Sequence, residues 1–200
     1  MKRGNKGILK FIGLFILLSI LSNCSTISEI NLLYSLPKPD QRLRGVKVYI
    51  LFKDKRERKD ILSDDAKKVL KKFPGTLTFH LKRYGDTAFR ISPFSLKEIF
   101  SESLKFLVEN NGGRVVRAGK TDTGLEISIN RFFLDFKERK WMVDIAFKVT
   151  FIKAGKVSSS QKIEGSGERL RLFGTKQASE LISEVFTELL NRIDLSPIQS

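Results

Sequence analysis

Two long alternating runs, Leu125 to Phe136 and Trp141 to Ile152, leave this chain few choices of architecture. In the first, Leu125, Ile127 and Ile129 alternate with Glu126, Ser128 and Asn130; in the second, Trp141, Val143, Ile145, Phe147, Val149 and Phe151 alternate with Met142, Asp144, Ala146, Lys148, Thr150 and Ile152. Successive side chains of a strand point to opposite faces, so a period of two held this long means extended chain with one face buried. Lys137-Glu138-Arg139-Lys140 joins the runs as a charged connection. The pair reads as a long antiparallel hairpin over a core.

The rest of the pattern builds around it. Gly45 to Phe52 alternates as a first strand, and Thr76 to Leu81 with Thr87 to Ile91 reads as a second hairpin. Between them the spacing allows a short helical turn from Asp64 to Phe73, closed by Pro74-Gly75. Ser95 with Glu98 resembles a capping box, the apolar spacing from Leu96 to Val108 predicts a helix, and Gly112-Gly113 stops it. Arg114 to Ala118 is a short strand, and Val157 to Leu172 a polar one suited to a sheet edge. Gly165-Ser166-Gly167 has no phosphate-loop spacing and reads as a bend or end of that strand. Ala178, Leu181, Ile182, Val185, Leu189 and Ile193 then form one stripe of a helix over Thr175 to Ile193. The expected fold class is α+β, a mostly antiparallel sheet with two long amphipathic helices packed on one face.

Ahead of this body, residues 1–10 hold Lys2, Arg3, Lys6 and Lys10 with no acid, and Phe11 to Leu21 is apolar apart from Gly13 and Ser19. A basic n-region before a short apolar run is an export signal, and the run is shorter than the ~20 residues a spanning helix needs. Leu21-Ser22-Asn23-Cys24 closes it with the chain's single cysteine. That pattern resembles a lipobox, with Leu21, Ser22 and Asn23 as signal-peptidase recognition and Cys24 as the lipidation site. An uncleaved signal anchor with a chance cysteine is the rival reading. The division expected is a signal peptide over 1–23, a lipidated Cys24 with an extended tether over 24–44, a single domain over 45–195 and a tail over 196–200. Pro37 and Pro39 mark the tether, although Leu32, Leu33, Tyr34 and Leu36 within it have the character to dock on the domain or at the membrane interface.

Charge bounds the partners. The chain has 37 Lys and Arg against 22 Asp and Glu, and the leader removes only four of the cations. A basic exported surface suits anionic lipid, lipopolysaccharide or acidic polymer, with nucleic acid set aside because of export. Lys53, Lys55, Arg56, Arg58 and Lys59 are the densest cluster, and they read either as a contact for an anionic ligand or as a solvated loop. Trp141 with Phe132, Phe133 and Phe136 is an alternative aromatic surface, at least half of it core by alternation.

Chemistry is sparse. One His and one Cys do not make a zinc site. His80 lies at a strand edge with no nucleophile elbow nearby. Asp64 with Asp65, and Glu180 with Glu184, read as solvated carboxylates rather than acid–base pairs. No catalytic residue, cofactor or metal is expected beyond the covalent diacylglycerol and N-acyl chain on Cys24.

Gly45-Val46-Lys47-Val48, Asp54-Lys55-Arg56, Gly112-Gly113, Leu125-Glu126-Ile127-Ser128-Ile129, Ala154-Gly155-Lys156 and Glu164-Gly165-Ser166-Gly167 together resemble the YajG-type family of small bacterial lipoproteins. That resemblance implies an envelope lipoprotein with no established reaction. A weaker likeness, carried by Tyr34-Ser35-Leu36, is to the auxiliary lipoproteins of ABC-type transport systems. The expected function is a non-catalytic envelope lipoprotein, palmitate-bearing and acting as an accessory or binding component of an envelope assembly. It would be held at the outer membrane facing the periplasm, with the inner membrane as the other address and the oligomeric state open. The alternative is a lipid- or lipopolysaccharide-binding auxiliary of a transport system.

Overall fold

A computed structural model describes residues 29–172 and 175–199. The alternating runs form the expected pair, β6 (Gly124–Lys137) and β7 (Lys140–Lys153), antiparallel from Gly124↔Ile152 to Lys137↔Lys140. The chain turns again at Ala154-Gly155 into β8 (Lys156–Leu170), the outer strand, whose buried-exposed alternation fits an edge. On the other side β2 (Lys47–Asp54) pairs parallel with β6, and the two-residue β5 (Arg114–Val115) pairs parallel with β2. This gives a five-stranded mixed sheet in the order β5-β2-β6-β7-β8.

A second sheet stands apart from it. β3 (Leu77–Lys82) and β4 (Phe89–Phe94) form the smaller hairpin, and β1 (Asn31–Ser35) joins parallel to β3, in the order β1-β3-β4. Three α-helices, α1 (Asp64–Val69), α2 (Leu96–Asn110) and α3 (Lys176–Asn191), and a short 3-10 turn (Ser196–Ile198) complete the described chain. α2 begins with the capping box its sequence announces: Ser95 N–H donates to the Glu98 carboxylate, and Glu98 N–H donates back to Ser95 Oγ.

The expected architecture, one mostly antiparallel sheet with two long helices on one face, is overturned. The molecule is mostly β, its eight strands divided between two sheets, and only two of its three helices exceed six residues. Two pairings cause the difference. β2 runs parallel to β6, which makes the large sheet mixed, and residues read as tether supply β1, which draws β3 and β4 into a sheet of their own.

β1 forms because Ile30, Leu32, Tyr34 and Leu36 alternate on one buried face, all 6% exposed or less. Of the two roles open to this segment, docking on the domain is the one realised. Its outer edge is closed by α3, which lays Ser179, Ser183, Thr187 and Asn191, spaced by four, along the strand. Asn31 N–H donates to Ser179 Oγ (3.0 Å), Leu33 N–H to Ser183 Oγ (2.9 Å) and Ser35 N–H to Thr187 Oγ1 (3.2 Å). Thr187 Oγ1 and Asn191 Nδ2 donate in return to the Leu33 and Ser35 carbonyls. Side chains thus satisfy an edge that would otherwise lack pairing.

The opposite stripe of α3 packs on β7 and β8. Gly165 and Gly167 lie within β8, opposite Ile145 and Val143, and do not end it. A Cβ on Gly165 would come 2.9 Å from Leu189 Cδ2, and one on Gly167 would come 3.0 Å from Leu181 and Val185 carbons, so both glycines allow the helix its close approach. Phe100 of α2, Phe132 of β6, Phe147 of β7 and Phe186 of α3 meet edge to face at the centre, with ring centroids 5.2–6.3 Å apart. The core extends from Ile30 to Ile198. The expected tail over 196–200 is therefore partly docked: Ile198 is buried, as is Leu195 just before the tail, and Ser196 N–H donates to the Asp194 carboxylate.

Candidate functional site

Beyond β2 the chain must travel along β6 to reach α1, and it does so through the charge-rich segment 54–62. Arg56 organises that segment. Its guanidinium donates from Nε and Nη2 to the two oxygens of Asp54 (3.0 Å each) and from Nη1 to the Lys59 carbonyl (2.9 Å), and only 8% of the side chain is exposed. A forked, sheltered pair of this kind fixes both partners. The Arg56 hydrogen bonds hold the Asp54 carboxyl down at about 2.

The other cations of the cluster are mostly engaged too. Lys53 pairs with Glu126 (2.7 Å) and Lys59 with Asp54 (3.3 Å). Arg58 donates to the Leu62 carbonyl, pairs with Asp64 (3.7 Å) and lies 4.6 Å above the Phe133 ring. Lys55 alone has no side-chain partner among the described residues. Arg56 is buried and braces the loop, while Lys53, Lys55, Arg58 and Lys59 remain exposed on it. Phe132 and Trp141 are buried, Phe133 sits under Arg58, and Phe136 is wedged between Trp141 (4.8 Å) and Arg171 (5.5 Å), so the four aromatics form no shared open surface.

What the loop does build is a cleft of about 610 Å³, between segment 54–62, α1 and the start of α2. Phe52, Ile61, Leu62, Leu70, Phe73 and Leu96 supply its apolar lining. Charged groups rim it: the Asp54–Arg56–Lys59 set, Lys67 paired with Asp60 (2.7 Å), and Lys72 and Lys97, for which no ion pair occurs among the described residues. α1 is placed by its cap, Ser63 Oγ accepting from Ala66 N–H (2.9 Å), and by Ser63 N–H donating to Leu134 O. An apolar floor with ammonium groups at its lip suits an amphiphile with an anionic head. Asp54 and Asp60, the carboxylates there, both sit below their ordinary range because of hydrogen bonds from Arg56 and Lys67, so neither holds a proton to donate at neutral pH.

The cleft was hidden in the sequence because its wall comes from three separate stretches, 52–62, 67–76 and 95–97. The remaining sequence candidates lie elsewhere. His80 is on β3, its Nε2 3.3 Å from Asn31 Oδ1, and burial with Arg90 nearby lowers its pKa. Glu180 and Glu184 both hold Arg169 (3.0 and 2.6 Å), and Asp65 holds Lys68 (2.7 Å). No group of three or more possible metal ligands occurs among the described residues, and no helix there is long and apolar enough to cross a membrane. Leu21, Ser22, Asn23 and Cys24 lie outside the described residues.

No family model matches this chain, and no curated protein does. Among solved structures it is similar to a Xanthomonas campestris protein of the family DUF330, with a TM-score of 0.49 and 12% identity over 80% of this chain and 90% of that one. It is similar also to an uncharacterized protein (0.45, 10%, over 81% and 95%) and to a Helicobacter pylori protein described as a neuraminyllactose-binding hemagglutinin homolog (0.40, 9%, over 82% and 94%). Likenesses at that level assign neither a family nor a role.

Proposed function

We propose that this chain is a bacterial envelope lipoprotein, anchored through acylated Cys24, that acts by binding as an accessory component of an envelope assembly. The observation that carries this reading is the basic and apolar leader closing on Leu21-Ser22-Asn23-Cys24 directly ahead of the folded body. Ser25 favours delivery to the outer membrane, and membership of the YajG-type family belongs to the same reading. Each buried methylene of an acyl chain contributes about 0.8 kcal/mol, so two or three chains hold the protein durably. Labelling cells with a palmitate analogue tests the anchor. Wild type should take up label and Cys24→Ala should not; an unlabelled wild type would remove the proposal.

The cleft supports a second reading, that the bound partner is an anionic lipid or lipopolysaccharide fragment. Its floor offers side chains for an acyl tail, and Lys72 and Lys97 stand at the lip for a phosphate. Native mass spectrometry of protein extracted from envelopes should then show a bound amphiphile that is lost in Leu70→Asp. A clean unliganded mass for the wild type would dispose of this second reading.

A further inference from the structure

We infer that the end of the domain carrying the start of β1 and the β6–β7 turn is a docking face for the anionic phospholipid headgroups of the leaflet that holds the anchor. This rests on the lipid-anchor reading, because the anchor decides which end faces the bilayer. Five residue steps separate Cys24 from Glu29. At no more than ~3.6 Å each they reach about 18 Å, whereas β7, at ~3.3 Å per residue, is about 46 Å long. A tether of that reach keeps the start of β1 near the membrane and rules out an inverted placement, with the far end on the bilayer and the start of β1 standing away from it.

Connectivity fixes what shares that end. Asn31 is bonded to Ser179 in the first turn of α3; Arg169, which holds Glu180 and Glu184, is opposite Trp141 at the start of β7; and Arg171 N–H donates to Arg139 O in the β6–β7 turn (2.8 Å). Lys71 and Lys72 precede β3, whose Thr78 is the partner of Asn31.

The chemistry of this end matches a headgroup layer. Lys71, Lys72, Lys137, Arg139, Arg171 and Lys176 belong to this end, together with the acids Glu29 and Glu138 and with Glu168, Glu180 and Glu184, which are paired with Lys140 and Arg169. Lys71, Lys72, Lys137 and Arg139 have no ion pair among the described residues, and the Arg171 guanidinium lies over the Phe136 ring. Beside them Leu170 and Leu172 are 54% and 64% exposed. Paired leucines flanked by cations are suited to the boundary of acyl chain and phosphate. α3 points its N-terminus the same way, with no acid in its first turn and no side-chain cap, which adds positive potential.

The test uses the full-length protein reconstituted in nanodiscs of phosphatidylethanolamine and phosphatidylglycerol, with a fluorophore on an introduced thiol, Leu172→Cys or, at the opposite end, Val157→Cys. Brominated lipids should quench the label at position 172 several-fold more than the label at 157. Lys137→Gln and Arg139→Gln, each removing one cation from an anionic surface, should each lower the docked-to-undocked ratio by roughly fivefold. Equal quenching at the two positions, with an intact mass that shows acylation, would overturn the docking face and leave the anchor standing. A mass without acyl chains would overturn the anchor and this orientation with it.

Discussion

Arg56 shows how one residue of a cationic run can serve the loop that carries it. Five cations in seven positions look like a ligand patch, but Asp54 stands two residues before Arg56, close enough to accept from its backbone N–H (3.1 Å) as well as its guanidinium. At Arg56 local pairing therefore wins over display to solvent, while Lys53, Lys55, Arg58 and Lys59 stay exposed. The pair makes stability depend on acid in a definite direction. The folded Asp54 titrates at about 2 against an ordinary 3.8, so the folded state binds its proton later than the unfolded state does. Its contribution is complete above the ordinary value and is lost as the pH falls through about 2. Asp54→Asn should cost about 2 kcal/mol at neutral pH, as expected for charge-assisted hydrogen bonds to a sheltered guanidinium. It should also flatten the loss of stability between pH 4 and pH 2 relative to wild type. Urea denaturation across that range decides the matter: parallel curves for the two proteins would refute the role given to Asp54.

At the scale of elements, the two faces of α3 were unequally legible. Its apolar stripe repeats at helical spacing and declares a buried side. Ser179, Ser183, Thr187 and Asn191 repeat just as regularly, yet a polar stripe on a helix ordinarily meets water, and nothing in the spacing says that it meets a strand. β1 was hidden for the matching reason. Five residues ahead of Pro37 and Pro39 are too few to show a period, and the strand's edge is completed by side chains about 150 positions away. The α2 cap was readable because it is a local pattern; the cleft and the parallel pairings depend on distant residues. Ser183 is the centre of the ladder, with Oγ 2.6 Å from Ser179 O and accepting from Leu33 N–H. Ser183→Ala leaves the Leu33 amide without its partner and should cost about 1–2 kcal/mol, with faster hydrogen exchange at that amide. Glu188→Ala, on the exposed side of the same helix, should stay within about 0.5 kcal/mol. Unchanged exchange at Leu33 in the Ser183 variant would refute the ladder.

At the scale of the whole molecule, the placement of β1 brings residues read as a tether into the folded domain. The domain read from the sequence begins at Gly45, after a segment whose prolines suggest a spacer. In the structure that segment brings Ile30, Leu32, Tyr34 and Leu36 into the same core as Phe186 and places Leu43 there as well, fully buried. Tyr34 is sealed in so thoroughly that burial drives its hydroxyl far above the ordinary phenol range, and the hydroxyl donates to Asn191 Oδ1 (3.1 Å). Burial of one large aliphatic side chain contributes about 1.5–3 kcal/mol, and whole domains are stable by only about 5–15 kcal/mol. Four such residues are therefore comparable with the entire margin. Their loss would also uncover the edge of β3 and the polar stripe of α3 together. A chain that starts at Gly45 should show no cooperative thermal transition and should bind a hydrophobic dye, whereas one that starts at Glu29 should melt as the full-length protein does. If the shorter chain melted cooperatively at the full-length temperature, β1 would be an accessory strap, and the domain would again begin at Gly45 behind a spacer.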